Sequence, residues 1–376
     1  MGIRDTATKV QSFVRDYTDG LTASDLKRLV GPEASRAFDV LTREHAGDEP
    51  RGGARRLWHR TKILFLGLSY KLTPPRRLLF AASLLLALVG LVVDSQQPNL
   101  GNARVLVGLS VAGLTWLLGL ELADRVLVRD ELEVARHLQR ALLPERPPEV
   151  PGWHFAFSSR TANTIGGDYF DLLPLEDGRL AVVVGDASGH GIAAGLLMAI
   201  ASSTIKLALD TDPAPTAVLS MVNTALYRTG DRRAFMTLFL GLLEPGTGRL
   251  EFAAAGHPVP VLRRVDGEVE ELGRGGLPLG IRRSIDLHSE QAILAPGDVV
   301  AVVTDGIPEA LDPQGRSFGF DRLTTSVGRG GDAATVHDRL VAEVTAFVGE
   351  RPADDDRSLV VLSRDLPLPP VPSTES

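Results

Sequence analysis

Two uncharged apolar runs divide this chain into parts with different physical surroundings. LLFAASLLLALVGLVV covers 78–93 and VLVGLSVAGLTWLLGL covers 105–120, each 16 residues long. A membrane span usually takes about 17–25 mostly apolar residues, so each run falls slightly below that range. The segment between them, 94–104, is short and holds Pro98, Asn99 and Gly101, which suits a tight turn. The block before them, 51–77, contains Arg51, Arg55, Arg56, Arg60, Lys62, Lys71, Arg76 and Arg77 and no acidic residue. Such a block stays on the cytoplasmic side, and two spans return the chain to that side. The expectation is a multi-pass inner-membrane protein whose C-terminal part is cytoplasmic. The alternative is a buried helical hairpin.

Charge follows the same division. Residues 1–77 carry 15 Lys and Arg against 9 Asp and Glu, whereas the remainder carries 25 against 38. The basic part suits an anionic membrane surface. The acidic part argues against nucleic acid as a partner. The chain has no Cys. That removes disulfides, thiolate metal sites and cysteine nucleophiles together.

The expected organisation has five parts. Residues 1–75 form a basic cytoplasmic segment, with apolar residues at helical spacing at Val10, Phe13, Val14 and Tyr17 and again at Leu26, Leu29 and Val30. Residues 76–121 hold the two transmembrane helices. A linker helix follows over 122–144. Leu120, Leu127, Val134 and Ala141 recur every seven residues there, a seam that would pair two copies, although Ala123, Asp130 and His137 fit such a seam badly and the alternative is a plain amphipathic helix packed on its own domain. Pro-rich residues 144–152 mark a boundary, and 150–364 form the main folded domain. The tail 365–376 is Pro-rich and is expected to be disordered.

Within 150–364 the pattern predicts strands over 153–159, 168–175, 179–185, 236–243, 250–255, 259–264, 287–294, 299–304 and 359–363. It predicts helices over 191–209, 215–229 and 333–348. Turn residues at 176–178 and 245–248 make hairpins. The fold class is therefore α+β, with an antiparallel two-sheet core and flanking helices.

Four acidic motifs punctuate these strands: GGDYFD at 166–171, GDASGHG at 185–191, VVTDGIPEA at 302–310 and DDDRSLVVL at 354–362. Asp186 ends the apolar run 182–184, and Asp305 repeats that pattern after 302–304. Asp168 follows two glycines, and Asp355 and Asp356 precede a final strand. Each alone has a plain structural reading as a helix cap, a turn or a solvated loop. Together they suggest carboxylates meeting at strand ends around a hard divalent cation, Mg2+ or Mn2+. Two such ions activate water for phosphate-ester hydrolysis without a side-chain nucleophile.

As an ordered set, several segments between about 135 and 364 resemble the PPM-type metal-dependent serine/threonine phosphatases of the SpoIIE/RsbU branch. They are ARHLQRALLP, GGDYFD, GDASGHG with IAAGLLMA, FMTLFLGLLEPGTGRLEFAAAGHP, LPLGI, PGDVVAVVTDGIPEA, FGFDRL and DDDRSLVVL. The resemblance implies a β-sandwich flanked by helices and two Mn2+ or Mg2+ ions in a cleft at one end. It assigns metal binding to Asp168, Asp186, the Ala187 carbonyl, Asp305 and Asp355, with Asp356 able to replace Asp355. Asp186 would bridge both ions, and Asp186 and Asp305 would be essential to catalysis. The implied substrate is a phosphorylated anti-anti-sigma-type protein, with the helix before the domain relaying a signal.

Some positions depart from that pattern. Arg357 and Ser358 follow the last Asp pair where an apolar residue and Thr are usual. Ser188 holds the place of a His proposed as general acid in eukaryotic relatives, and His190 is not equivalent to it. His257 reads as a structural hydrogen-bonding residue. GGDYF also has a likeness to the diguanylate cyclase signature, but that reading leaves TDG and DDDRS unexplained. A membrane-tethered binding module with this fold and little activity is the remaining alternative.

Overall fold

The computed structural model describes residues 53–96, 101–229 and 234–366. The helices expected within 1–50 and the tail after 366 lie outside the described residues. The chain separates into two compact units, 1–127 and 128–376.

The first unit contains α1 (Gly53–Lys71), α2 (Pro74–Gln96) and most of α3 (Gly101–Arg140). The apolar runs sit in α2 and α3, and each helix extends beyond its run. Small residues let the two backbones approach. A Cβ on Gly113 would fall 2.3 Å from Ser83 Oγ, and one on Gly90 would fall 2.9 Å from Val107 Cγ2. At the charged end, Arg76 pairs with Glu121 at 2.9 Å and with Asp124 at 2.5 Å. Apolar side chains point outward over both helices, including Leu78, Leu85, Leu91, Trp116 and Leu118. The second run and the linker form one continuous helix, because no Gly or Pro signal separates Leu120 from Glu121.

The second unit is a four-layer sandwich. One sheet has the order β1-β10-β9-β6-β7 and the other β2-β3-β4-β5-β8. The strands of the first are Trp153–Arg160 (β1), Val261–Arg263 (β6), Val269–Glu271 (β7), Val299–Val303 (β9) and Arg357–Arg364 (β10). Those of the second are Asp168–Pro174 (β2), Leu180–Ala187 (β3), Met236–Glu244 (β4), Arg249–Ala255 (β5) and Glu290–Ile293 (β8). All neighbouring strands are antiparallel. This is the α+β, two-sheet arrangement the strand pattern predicts.

Alternation of side chains explains why the central strands are apolar throughout. In β3, Val182 and Val184 face the other sheet, with Phe170, Val302 and Val360. Ala181 and Val183 face the opposite way, onto α4 (Ile192–Thr211) and α5 (Pro215–Tyr227). In β9, Val300 and Val302 face the inter-sheet core, while Val299, Ala301 and Val303 face α6 (Phe320–Gly328) and α7 (Ala333–Val348). Both faces of each sheet are covered, so neither tolerates polar side chains midway along a central strand.

Local signals set the helix starts. Pro215 opens α5, where its missing N–H costs nothing. Asp332 caps α7 by accepting from Thr335 N at 2.9 Å. α4 is apolar enough to cross a membrane by length and composition, as are α2 and α3. It nevertheless buries eight residues, from Ala194 to Leu209, in the sandwich. Two elements escaped the sequence pattern, the three-residue β7 and the nine-residue α6.

Candidate metal centre

Strand register brings the first two motifs together. In the β2–β3 ladder Asp168 lies directly opposite Asp186. Both stand at the same end of the sheet, because Asp168 opens β2 and Asp186 nearly closes β3. The ladder continues beyond them: Ala187 N donates to Gly167 O at 3.2 Å, and Ser188 N donates to Phe235 O at 2.8 Å. The Ser188 hydroxyl in turn accepts from Phe235 N at 2.9 Å, a structural use. His190 is exposed. A Cβ on Gly167 would fall 2.7 Å from the Ala187 carbonyl oxygen and 3.1 Å from Asp186 Oδ1. Only glycine lets the chain pass so close to both.

The other sheet supplies the remaining carboxylates. Asp305 follows β9 in a tight turn, where Ile307 N donates to Thr304 O and Glu309 N donates to Asp305 O at 2.9 Å. Thr304 joins the two sheets at this end. Its hydroxyl donates to Asp168 Oδ2 at 2.9 Å and accepts from Ser358 N at 2.9 Å. Asp355 is exposed, and its Oδ1 accepts from Asp356 N at 2.8 Å.

Asp356 does something different. It is buried, and its two oxygens accept from Ala162 N at 2.7 Å and from Gly167 N at 2.6 Å. It therefore fastens the segment 161–167 that carries the first motif. Gln139, on the linker helix, holds the same segment by accepting from Gly166 N at 3.1 Å and donating to Gly166 O. Neither Thr304 nor Gln139 stands out by residue type. The TDG context flags Thr304 only once Asp305 is suspected.

The charges of the four motifs act on one another. Burial, and then the charges of Asp356 and Asp305, push the Asp168 carboxyl far above the usual carboxylate range. Burial and then Asp168, Asp305, Asp355 and Asp356 do the same to Asp186. Asp305 is pushed up to about 6 by burial and then by Asp355 and Glu309. Asp168 is 3% exposed, and its Oδ1 is buried with no hydrogen-bond partner. Among the described residues no three Asp, Glu or His side chains form a finished ligand set. What the fold assembles is a group of mutually repelling carboxylates at one sandwich end, one with an unpaired buried oxygen. A divalent cation fits that donor set, since it satisfies the lone pair and offsets the repulsion.

His257 sits behind this group, against Thr237, the cross-strand partner of Asp186. It is buried, its Nδ1 meets Thr237 Oγ1 at 3.0 Å, and burial pushes its pKa down to about 3. It is a neutral structural group.

The model of the stage II sporulation protein E (SpoIIE) family matches residues 176–365, half of the chain. The chain belongs to the SpoIIE family. The match begins after Asp168, which the fold nonetheless places opposite Asp186. This SpoIIE-family chain is 28% identical over 193 residues to phosphoserine phosphatase RsbU of Bacillus subtilis, covering 50% of the chain and 56% of that protein. It is 24% identical over 265 residues to protein IcfG of Synechocystis, covering 63% of the chain and 42% of that protein. The chain thus spans about half the length of the curated relatives it matches. The solved SiaA-PP2C domain of Pseudomonas aeruginosa shares the fold with a TM-score of 0.56 at 23% identity, covering 65% of this chain and 99% of that one. The RsbU and RsbW domains of a Mycobacterium tuberculosis protein match with a TM-score of 0.50 at 28% identity, covering 60% of this chain and 64% of that one.

Proposed function

We propose that this SpoIIE-family protein is a membrane-anchored, metal-dependent protein serine/threonine phosphatase. The observation that carries the reading is the Asp168–Asp186 pair, with a buried unpaired oxygen on Asp168 and Asp305 close enough to raise the pKa of both. Asp168, Asp186, Asp305, Asp355 and the Ala187 carbonyl would hold two Mn2+ or Mg2+ ions, with Asp186 shared between them. When bound, such ions supply an activated water and neutralise charge on phosphoryl oxygens.

The chain's own residues position that chemistry. Thr304 orients Asp168, and Asp356 and Gln139 fix the Gly166–Gly167 backbone that the carboxylates depend on. The engagement of both Asp356 oxygens favours Asp355 as the ligand and Asp356 as the anchor. A cleft of about 530 Å3 reaches Asp168 and is lined by Arg136, Arg140, Arg160, Ser159, Thr161 and Phe170. Three arginines outnumber Glu145 and Asp168 in its lining, which suits a phosphorylated, anionic segment of a protein.

The substrate we propose is a phosphorylated regulatory protein of the anti-anti-sigma type. The likeness to phosphoserine phosphatase RsbU supports this. The outward apolar faces of α2 and α3 support insertion of that hairpin in the inner membrane, with the sandwich on the cytoplasmic side. Leu127 and Val134 are exposed on the linker helix, which supports pairing of two copies there. Mn2+-dependent release of 4-nitrophenol from its phosphate monoester tests the enzymatic reading, with Asp186→Ala as control. A rate no higher than that control would leave the membrane-tethered binding module as the better reading.

A further inference from the structure

Two arginines face each other at the edge of the metal centre without a carboxylate in ion-pair contact with either. In the β1–β10 ladder Arg160 is the direct partner of Arg357. Like charges directly opposite on neighbouring strands are destabilising. Among the described residues neither guanidinium makes a hydrogen bond or ion pair, and nearby Asp354 pairs with Arg351 instead. Arg357 Nε is buried without a partner. A buried, unpaired guanidinium N–H carries a desolvation penalty that a bound anion would remove.

The position of the pair says which anion. Arg357 follows Asp355 and Asp356 directly, and its Cγ lies 3.4 Å from where a Cβ on Gly306 would stand, next to Asp305. Strand alternation puts the pair on the far side of the sheet from the carboxylates. Ser358 N donates to Thr304, which holds Asp168, and the Ser358 hydroxyl donates to Ser159 at 2.9 Å. Arg160 and Arg357 face the opposite way, toward α7. They line a cavity of about 60 Å3 with Ile307, Leu340, Val344 and Leu359. Arg160 also lines the larger cleft that reaches Asp168. The pair therefore flanks the reaction centre rather than facing into it. A small notch with an apolar floor and two guanidinium groups fits a short aliphatic side chain ending in a carboxylate.

We propose that Arg160 and Arg357 form a subsite for an acidic side chain of the protein substrate, close in sequence to its phosphorylated residue. The proposal rests on the phosphatase reading above and adds a determinant of substrate choice to it. Arg160 and Arg357 are specificity residues here and take no part in the chemical step.

The full chain in detergent would be assayed with Mn2+ on three substrates: 4-nitrophenyl phosphate, a phosphoserine peptide flanked by glutamates, and the same peptide with glutamines. The wild type is expected to show a KM about tenfold lower for the glutamate peptide than for the glutamine one, as a charge-assisted hydrogen bond would give. Arg357→Gln should erase most of that preference through KM with kcat held, Arg160→Gln should also weaken the preference, and Arg357→Lys should restore part of it. A preference that survives both glutamine substitutions would overturn the proposal. An equal loss on all three substrates would also overturn it, by moving the pair onto the phosphoryl group itself. If the wild type hydrolyses none of the three, the phosphatase reading fails separately. Fluorescence anisotropy of the labelled glutamate peptide then decides: weaker binding to Arg357→Gln than to wild type supports the subsite, and equal binding sinks it.

Discussion

Asp168 and Asp186 are direct cross-strand neighbours, two carboxylates placed face to face by the register of a single hairpin. A fold gains nothing from such a pair by itself. Like charges opposite one another are unfavourable, and burial raises the cost. The arrangement is explicable as a device for holding positive charge.

Removing one of these carboxylates should therefore separate activity from stability. Asp186→Ala and Asp305→Ala are each expected to abolish Mn2+-dependent phosphomonoester hydrolysis. The metal-free protein should melt at the same or a higher temperature, since 1 kcal/mol of relieved repulsion corresponds to about 2–4 °C for a domain of this size. Paired rate and thermal-unfolding measurements check both halves. Retained turnover in either variant would reject the site assignment.

Acidity should tune the metal-free protein in one direction. Asp305 ionises near 3.8 in an unfolded chain and at about 6 in the fold, and Asp168 and Asp186 are raised in the same sense. The folded state holds these protons more tightly, so their contribution to stability is complete below the unfolded value. It is lost as pH rises through the folded values. Unfolding midpoints of the metal-free chain should fall between pH 4 and pH 7, and Mn2+ should raise them more at pH 8 than at pH 5. A midpoint that climbs steadily over that range without metal would contradict the picture.

Asp356 should behave unlike its neighbours. Asp356→Ala takes away two buried charge-assisted acceptors, and each such bond contributes about 1.5–3 kcal/mol. The variant is expected to be destabilised by several kcal/mol and to lose activity. Asp355→Ala should lose metal-dependent activity with little change in stability. Denaturant titration of the pair discriminates a structural anchor from a ligand.

Gly306 offers a steric test. A Cβ there would sit 1.9 Å from the Asp356 carbonyl oxygen, far inside contact distance. Gly306→Ala should displace the Asp305 turn from β10, lowering both the melting temperature and the Mn2+-dependent rate. Gly246→Ala, where a Cβ meets nothing within 4 Å, is the matched control.

Much of this was readable from residue order alone. Apolar runs bounded by turn residues located nearly all the strands, because buried central strands permit few polar side chains. Asp186 and Asp305 could be picked out because each ends such a run. Asp356 could not be distinguished from Asp354 and Asp355, since three consecutive aspartates look alike until backbone donors choose among them. The Arg160–Arg357 pairing was likewise hidden, because cross-strand register between residues almost 200 positions apart is a property of the folded sheet. β7 and α6 were missed because three and nine residues give too little periodicity to detect.

The strand that begins at Arg357 lies between β1 and β9, and the carboxylate just before it fastens the loop that presents Asp168. The earliest motif of the domain thus depends on the latest. A nascent polypeptide emerging from the ribosome would lack this anchor on its first motif until that closing stretch is translated. Cleavage within the last twenty or so described residues should therefore release the loop that presents Asp168 while sparing most of the chain's mass.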